Sequence, residues 1–336
     1  MTAITQLPPS ITIADAIQDY LTQVELTRSR RTFRTYQTGM NQLRSFLMLA
    51  GFTLDRDAAA ALSEQTAADF ALTLLEQHYS AATINLYLTS LTGFYEYLIL
   101  ELSLPLDMNR VRRLLKSKTP RVKRRLPQFS WEDIETVLSF CQSLQPAATS
   151  DQRQILRTKR DRAIILTLAD TGLRVHEASN LMRGDVDWNR HTALVTGKGS
   201  KDALVRFSNR AISAIQAYLS SRSALDIRSS KPGASLPVFA RHDRGAGKRV
   251  LSLSTFSIEK IVAETAWQAL QDEEKAARIT PHTFRHYFVT RVVKATNNIK
   301  AAQELARHES ITTTEIYTHL LDQDLDDFYR QAVDED

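Results

Sequence analysis

The sequence predicts a mainly α-helical chain of two domains, with a small β-hairpin in the second domain. Its 336 residues include only 10 Gly and 9 Pro, which disfavours an all-β fold with many turns. Apolar residues recur at helical spacing along most of the chain. At about 100–200 residues per domain the length suits two domains, and 43% apolar residues are enough for a core in each.

The first region is predicted to be helical throughout. Residues 13–24 and 33–47 each place their apolar side chains on one helical face. Ser63 and Ser80 are suitable N-caps for two further helices. Four helices within 1–109 predict a small helical domain.

This domain carries 6 basic and 11 acidic residues, yet only arginines are charged between Glu25 and Asp55. A solvated helix face would explain these arginines as well as an edge that contacts phosphate does. We favour the phosphate-contacting edge, made by Arg28, Arg30, Arg31, Arg34 and Arg44.

The next segment is strongly basic, with nine cations and no acid in residues 110–125. It lacks apolar periodicity and contains Pro120 and Pro127, which predicts an interdomain linker over 110–128. Mutual repulsion would keep this linker extended, and a phosphate backbone would neutralise it. A plain flexible linker is the alternative. The cations predicted to bind phosphates here are Arg112, Arg113, Lys116, Lys118, Arg121, Lys123, Arg124 and Arg125.

The second region combines helices with one hairpin. Ser130 is a suitable cap for a helix over 130–142, and Gly172 ends the helix that follows. Two β-rich runs flank 197–201, which predicts a hairpin with Lys198 and Lys201 at its turn. Residues 143–153 and 223–236 are predicted to be exposed loops. The helices are expected over 130–142, 158–171, 209–222, 254–270, 281–296 and 299–307, and the hairpin strands over 191–196 and 203–208.

Four of the eight histidines fall within 282–319. Pro281 suits the first position of a helix, which places His282 and Arg285 on one face with His286 beside them. Two donors on one rigid face make an anion clamp. Zinc on His282 and His286 is the alternative, but the guanidinium between them opposes a cation.

A second polar element lies at 170–178. Arg174 is predicted at the start of a helix, where free backbone amides favour an anion. Glu177, three residues on, can hold the guanidinium in place. A purely structural salt bridge between the two is the alternative.

Four motifs then occur in order: T-G-L-R at 171–174, T-G-K-G-S-K at 196–201, H-T-F-R-H at 282–286 and L-A-R-H-E-S-I-T-T-T-E-I-Y at 305–317. Together they resemble the tyrosine recombinase (phage integrase) family, in its Xer- or Cre-like two-domain form. The resemblance implies a SAM-like core-binding domain over 1–109 and a catalytic domain over 129–319. It also implies a C-shaped clamp around double-stranded DNA, four protomers joining two sites, and no metal or nucleotide cofactor.

The resemblance implies a role for each matching residue. Tyr317 is the nucleophile that forms a 3′-phosphotyrosyl intermediate, and Lys198 is the general acid. Lys201 competes for the acid role, and Tyr287 and Tyr329 are alternative nucleophiles by proximity. Arg174, Arg285, His282 and His308 contact the phosphate or transfer protons, while Glu177 and His286 orient them. The cations named above become expected DNA contacts, together with Lys201.

One position departs from the family pattern. The family usually has Leu-Gly-His before the nucleophile, whereas this chain has Leu305-Ala306-Arg307-His308. Glycine permits a tight backbone turn there. Either Arg307 adopts that conformation at some cost, or the turn differs.

The last segment is acidic and amphipathic. Residues 318–336 carry seven acids and one base, with apolar positions from Leu320 to Val333. We expect a tail over 320–336 that docks on a neighbouring protomer, with packing on its own domain as the alternative.

Composition and hydropathy give an expectation for the cellular compartment. No apolar run is long enough to span a bilayer, the N-terminus lacks a signal peptide, and one cysteine points to a reducing compartment. We therefore expect a prokaryotic, cytoplasmic, nucleoid-associated recombinase without a membrane partner. A type IB topoisomerase and a catalytically inactive DNA-binding relative are the alternatives. The sequence leaves open whether the role is dimer resolution, mobile-element integration or cassette capture.

Overall fold

A computed structural model describes residues 11–120, 130–146, 149–196, 202–247 and 249–307. The chain divides into two compact units, Met1–Lys123 and Arg124–Asp336, and each has its own hydrophobic core. The expected mainly helical architecture is confirmed. The described part of the first unit holds α1 (Ile13–Thr27), α2 (Arg30–Leu49), α3 (Glu64–Glu76), α4 (Ala81–Leu100) and α5 (Met108–Lys118).

Helices α1 to α4 begin at hydroxyl caps, and all five helices of the first unit share one core. The side chains of Ser63 and Ser80 accept hydrogen bonds from the third amide of α3 and α4, as predicted. Several large side chains of this core are at most 1% exposed, and each contributes about 1.5–3 kcal/mol by leaving water. They include Ile17, Leu43, Phe70, Leu91 and Phe94.

The predicted extended linker is wrong for residues 110–118, because these residues form most of helix α5. Asp107 caps this helix, and Val111 and Leu115, one turn apart, are buried against α3 and α4. The cations spread over the exposed side and the last turn, where the helix dipole favours positive charge. Burial of two apolar residues therefore outweighs repulsion among the cations. Residues 121–129 lie outside the described ranges.

The second unit is helical with a three-stranded antiparallel sheet. The sheet confirms the predicted hairpin and adds the short β1, while the hairpin turn with Lys198 and Lys201 lies outside the described residues. The predicted loops are shorter than expected, because α7 begins at Gln152 and α9 continues to Ile227. The elements are α6 (Trp131–Ser143), α7 (Gln152–Thr171), α8 (Val175–Asn180), β1 (Val186–Asp187), β2 (Thr192–Thr196), β3 (Asp202–Arg206), α9 (Asn209–Ile227), α10 (Thr255–Leu270), α11 (Glu273–Ala277), α12 (Pro281–Thr296) and α13 (Ile299–Ala306).

A buried polar network ties α9 to the segment before α10. Arg222 is fully buried and donates to Asp226, to the Tyr218 hydroxyl and to the carbonyls of Pro237 and Val238. The Tyr218 hydroxyl also accepts the amide of Ala240. Its own proton is then directed to His242 Nε2, 2.8 Å away. All three nitrogens of the Arg222 guanidinium thus donate, in four hydrogen bonds, as burial of a charge requires.

None of the helices within the described ranges is long and apolar enough to cross a membrane.

Candidate active site

The site begins at the turn that ends α7. Gly172 has the left-handed conformation (φ 59°), and its amide closes the last turn on the Leu168 carbonyl. A Cβ at this position would lie 2.5 Å from Phe288 Cδ1, so the turn packs directly on α12. Glycine is therefore required both for its conformation and for this contact.

Arg174 follows as the N-cap of α8 and is held by Glu177, as the spacing predicts. The Glu177 carboxylate accepts the Arg174 backbone amide at 2.9 Å and its Nη1 at 2.8 Å. The Glu177 side chain is 1% exposed, whereas that of Arg174 is 30% exposed. A buried carboxylate thus fixes a guanidinium that still reaches solvent.

Helix α12 supplies the second arginine. Pro281 occupies the first turn, and Thr280 and Thr283 form a reciprocal cap. Arg285 is buried; its Nη1 donates to the Gly172 carbonyl at 2.5 Å and its Nη2 to the Ala306 carbonyl. The α7 turn and the end of α13 are thereby joined to α12 through one guanidinium.

His282 stands one turn from Arg285, and its ring meets the His286 ring edge-on at a centroid distance of 4.3 Å. Partial desolvation, followed by the charges of Arg285 and Arg174, lowers the pKa of His282 below its ordinary value. The lowered pKa favours the neutral imidazole, which can donate from one ring nitrogen while accepting at the other.

These side chains line one small cavity of about 210 Å³, bounded by Leu173, Arg174, Val175, Pro281, His282 and Arg285. Two guanidiniums and an imidazole face it, so it suits a single tetrahedral oxyanion. The structure brings together Arg174, Glu177, His282, Arg285 and His286 from motifs more than one hundred residues apart in sequence.

Arg307 adopts the left-handed conformation (φ 59°, ψ 47°). Of the two alternatives for this position, Arg307 therefore takes the backbone conformation expected of glycine, and the turn is not a different one. Its carbonyl accepts Arg174 Nη2 at 3.0 Å. Its side chain turns inward, and Nη2 donates to Glu177 Oε2 at 2.9 Å. The sequence did not predict this second guanidinium on Glu177.

Asp170 is a further residue that the sequence reasoning missed. Its side chain is 2% exposed and accepts two hydrogen bonds from Arg210, one from Ser208 and one from Arg291. These contacts join α7, α9 and α12 directly beside the Gly172 turn. The position of Asp170 just before T-G-L-R was the only signal in the sequence, since its partners lie 38 to 121 residues away.

Tyr287, an alternative nucleophile, is 1% exposed and donates its hydroxyl proton to Glu135 at 2.5 Å. Burial and that carboxylate raise the pKa of its phenol, which opposes a nucleophilic role. The predicted catalytic residues Lys198, His308 and Tyr317, the alternatives Lys201 and Tyr329, the linker cations Arg121, Lys123, Arg124 and Arg125, and the tail 320–336 lie outside the described residues.

The predicted phosphate-contacting side chains of the first unit differ in their surroundings. Arg28, Arg30, Arg31 and Arg34 are exposed around the turn between α1 and α2, and Arg44 bonds to Asn41. On α5, Arg112 pairs with Glu96 at 2.5 Å and Arg113 lies 4.0 Å from Asp107, while Lys116 and Lys118 occupy the last turn.

No group of three or more potential metal ligands occurs among the described residues, which include His282 and His286.

The sequence matches two known family models. The profile of the phage integrase family matches residues 132–324, and that of the phage integrase N-terminal SAM-like domain matches 17–101. Tyrosine recombinase XerC of Halalkalibacterium halodurans is 28% identical over 92% of this chain and 93% of its own. Tyrosine recombinase XerD of Mycobacterium leprae is 33% identical over 71% and 70% of the two chains.

Solved structures share the fold. XerH site-specific recombinase bound to its difH substrate has a TM-score of 0.68 at 18% identity, covering 96% of this chain and 97% of its own. The Tn1549 transposon integrase with transposon right-end DNA has a TM-score of 0.65 at 21% identity, covering 95% and 99%. Since the catalytic-domain profile alone spans more than half of the sequence, the chain belongs to the phage integrase family of tyrosine recombinases.

Proposed function

We propose that this protein is a site-specific DNA recombinase that cuts and rejoins strands through a 3′-phosphotyrosyl intermediate. The observation that carries the proposal is the cavity where Arg174, His282 and Arg285 converge, since a single phosphate fits this donor set. Relatives of this chain include tyrosine recombinases XerC and XerD, and this relationship supports the same activity.

The proposed reaction uses the hydrogen-bond donors that face the cavity. The Tyr317 phenol gives up its proton to a histidine of the site as its oxygen attacks phosphorus. The bond from phosphorus to the 5′ oxygen breaks, and that leaving oxygen takes up a proton. Negative charge grows on the non-bridging oxygens in the transition state, where two guanidinium forks stabilise it more than they stabilise the substrate. Rejoining is the reverse attack by a 5′ hydroxyl of another strand, so the bond energy is conserved in the intermediate without a metal or nucleotide cofactor.

Roles for residues outside the described ranges rest on their motifs. Lys198 protonates the leaving 5′ oxygen, and His308 joins His282 in contacting the phosphate and moving protons. The lowered pKa of His282 favours its neutral ring, whose N–H is suited to hydrogen bonding with a phosphate oxygen. Glu177 and His286 position these groups.

DNA is held by cations of both units. The exposed arginines from Arg28 to Arg34 and the basic residues 110–125 contact the phosphate backbone, which makes binding salt-dependent. Because 108–118 is helical, we now propose the interdomain connection at about 119–128, between a DNA-binding domain and a catalytic domain that ends near 319. The protein acts on chromosomal or mobile-element DNA in the bacterial cytoplasm.

Four protomers join two sites, and the acidic tail 320–336 docks on a neighbour. Its seven acids and its apolar positions suit a protein surface better than DNA. Truncation at Asp322 is expected to weaken cooperative assembly on DNA. Unchanged cooperativity, measured by gel shift on a two-site substrate, would favour packing of the tail on its own domain.

The decisive experiment uses Tyr317→Phe with a nicked suicide substrate. The unaltered protein is expected to form a covalent adduct, while Tyr317→Phe binds the same DNA without forming it. An adduct in the variant would refute the assignment. Relaxation of supercoils without strand exchange would identify a topoisomerase instead, and DNA binding without any adduct by the unaltered protein would identify an inactive relative.

A further inference from the structure

Arg307, at the end of α13, has a backbone conformation that is energetically unfavourable for a residue with a side chain. Arg307 holds a left-handed backbone conformation that disfavours a side chain by about 1 kcal/mol. Glycine, usual at this place in the family, would avoid that cost. A compensating interaction of the Arg307 side chain is therefore expected.

The Arg307 side chain is turned toward Glu177 rather than to solvent. It is 9% exposed, and Nη2 donates to Glu177 Oε2 at 2.9 Å and reaches the Gly172 carbonyl at 3.4 Å. Nη1 donates to the Leu305 carbonyl at 3.3 Å. Its Nε is buried without a hydrogen-bond partner among the described residues. The guanidinium is thus only partly compensated.

The single negative charge of Glu177 therefore forms ion pairs with two cations, Arg174 and Arg307. Oε1 accepts from Arg174, and Oε2 accepts from the Arg174 amide and from Arg307. If Arg307 were absent, the carboxylate would neutralise Arg174 alone. With Arg307 present, the group of three keeps a net positive charge next to the cavity that Arg174 lines.

A phosphodiester entering the cavity meets this excess charge. The interaction strengthens as the phosphate gains negative charge in the transition state, because Coulomb energy grows with both charges and is screened less at a partly buried site than in water. Such a group accelerates cleavage more than it tightens DNA binding.

We propose that Arg307 is a positioning residue for strand cleavage, which acts through Glu177 to orient Arg174 and to leave Arg174 under-neutralised. The proposal rests on the recombinase function proposed above. It assigns a role to a side chain that the glycine usual in the family cannot fulfil.

Three variants test this inference by separating charge from conformation. Arg307→Asn tolerates the left-handed backbone without the cation, Arg307→Gly restores the family residue, and Arg307→Lys keeps the cation. Single-turnover cleavage of a nicked suicide substrate and DNA affinity are measured for each. We expect cleavage about 10-fold slower in the Asn and Gly variants, with affinity within about 2-fold, and a substantial recovery of the rate in the Lys variant.

Gln271→Gly is the matched control, since Gln271 is also a left-handed cap (φ 51°) but belongs to α10 and is absent from the site. Its cleavage rate should equal that of the unaltered protein. Equal rates in all three Arg307 variants and the unaltered protein would overturn the proposal, as would an equal loss in Arg307→Lys and Arg307→Asn.

A double-mutant cycle guards against a merely structural effect. If Arg307 acts through Glu177, Arg307→Asn should slow cleavage less than about 2-fold in a Glu177→Gln background. Additive losses would overturn the inference. Failure of the unaltered protein to form any adduct would instead reject the recombinase function itself, so the two failures are distinguishable.

Discussion

The main-chain carbonyl of Arg307 accepts a hydrogen bond from the guanidinium of Arg174 at 3.0 Å, although 133 residues separate the two in sequence. Arg285 makes the equivalent contact with the neighbouring Ala306 carbonyl. The end of α13 therefore anchors both arginines of the cavity. Because each guanidinium is held by fixed partners on one side, its orientation toward the cavity is set before DNA binds.

Replacement of Arg174 by Lys should abolish most of the cleavage activity. A single ammonium cannot bond to Glu177, to the Arg307 carbonyl and to a phosphate in fixed directions at once. We expect a loss of at least about 100-fold in single-turnover cleavage with little change in DNA affinity. Arg190→Lys, at an exposed arginine 3.9 Å from Asp187, is the control and should cleave normally. Similar rates in both variants would contradict this role.

Gly172→Ala should destabilise the catalytic unit by roughly 2–4 kcal/mol in urea unfolding. The new methyl group is forced into a left-handed backbone and against the Phe288 ring. Gly247→Ala isolates the first effect, because Gly247 has a similar φ of 58° with open space around it. We expect a loss of about 1 kcal/mol there. Equal losses at the two sites would show that the Phe288 contact contributes nothing.

Asp170→Asn should weaken both stability and cleavage. The neutral amide removes the charge that holds Arg210 and Arg291 beside the Gly172 turn, at an expected cost of about 2–3 kcal/mol. Asp187→Asn breaks an exposed ion pair and should cost under about 0.5 kcal/mol. Calorimetric melting of the two variants gives the comparison. A melting point for Asp170→Asn as high as that of the control would rule out a structural role for this network.

Acid should destabilise the protein through His242. Burial, and then the charges of Arg160, Arg222 and Arg157, lower its pKa from 6.5 to about 3. As pH falls, the unfolded chain therefore takes up the proton before the folded protein does. The stabilisation of the folded state that depends on neutral His242 is complete above pH 6.5 and is lost as pH falls toward 3. Protonation would also place a donor against the proton of Tyr218.

The expected slope is about 1.4 kcal/mol of unfolding free energy per pH unit between pH 6 and 4. It is obtained as the difference between the unaltered protein and His242→Gln in urea titrations. His78→Asn, at an exposed histidine with a left-handed backbone, is the control and should retain the slope. A pH dependence unchanged in His242→Gln would contradict a neutral, buried His242.

Local patterns in the sequence were sufficient for much of the site. Gly172 could be predicted as a helix stop, and Arg174 with Glu177 follows from a three-residue spacing on one helix. His282 and Arg285 share a face because Pro281 sets the start of α12. Each of these inferences needs only residues close together along the chain.

Contacts between distant segments were not predictable in this way. The approach of Arg307 to Glu177 depends on how α13 packs, and the two residues are 130 positions apart in sequence. Helix α5 was missed for another reason. Its two buried residues, Val111 and Leu115, are a weak apolar signal among nine cations, but they are sufficient once α3 and α4 provide a surface.

The anchoring of Arg174 and Arg285 by carbonyl oxygens affects how the site tolerates evolutionary change. Carbonyls of Gly172, Ala306 and Arg307 belong to the backbone, so point substitutions at 306 or 307 can alter side chains without deleting these acceptors. Insertion or deletion of one residue in α13 is different, since it would rotate the end of the helix by about 100°. Selection should therefore preserve the length of α13 more strictly than its amino-acid identities.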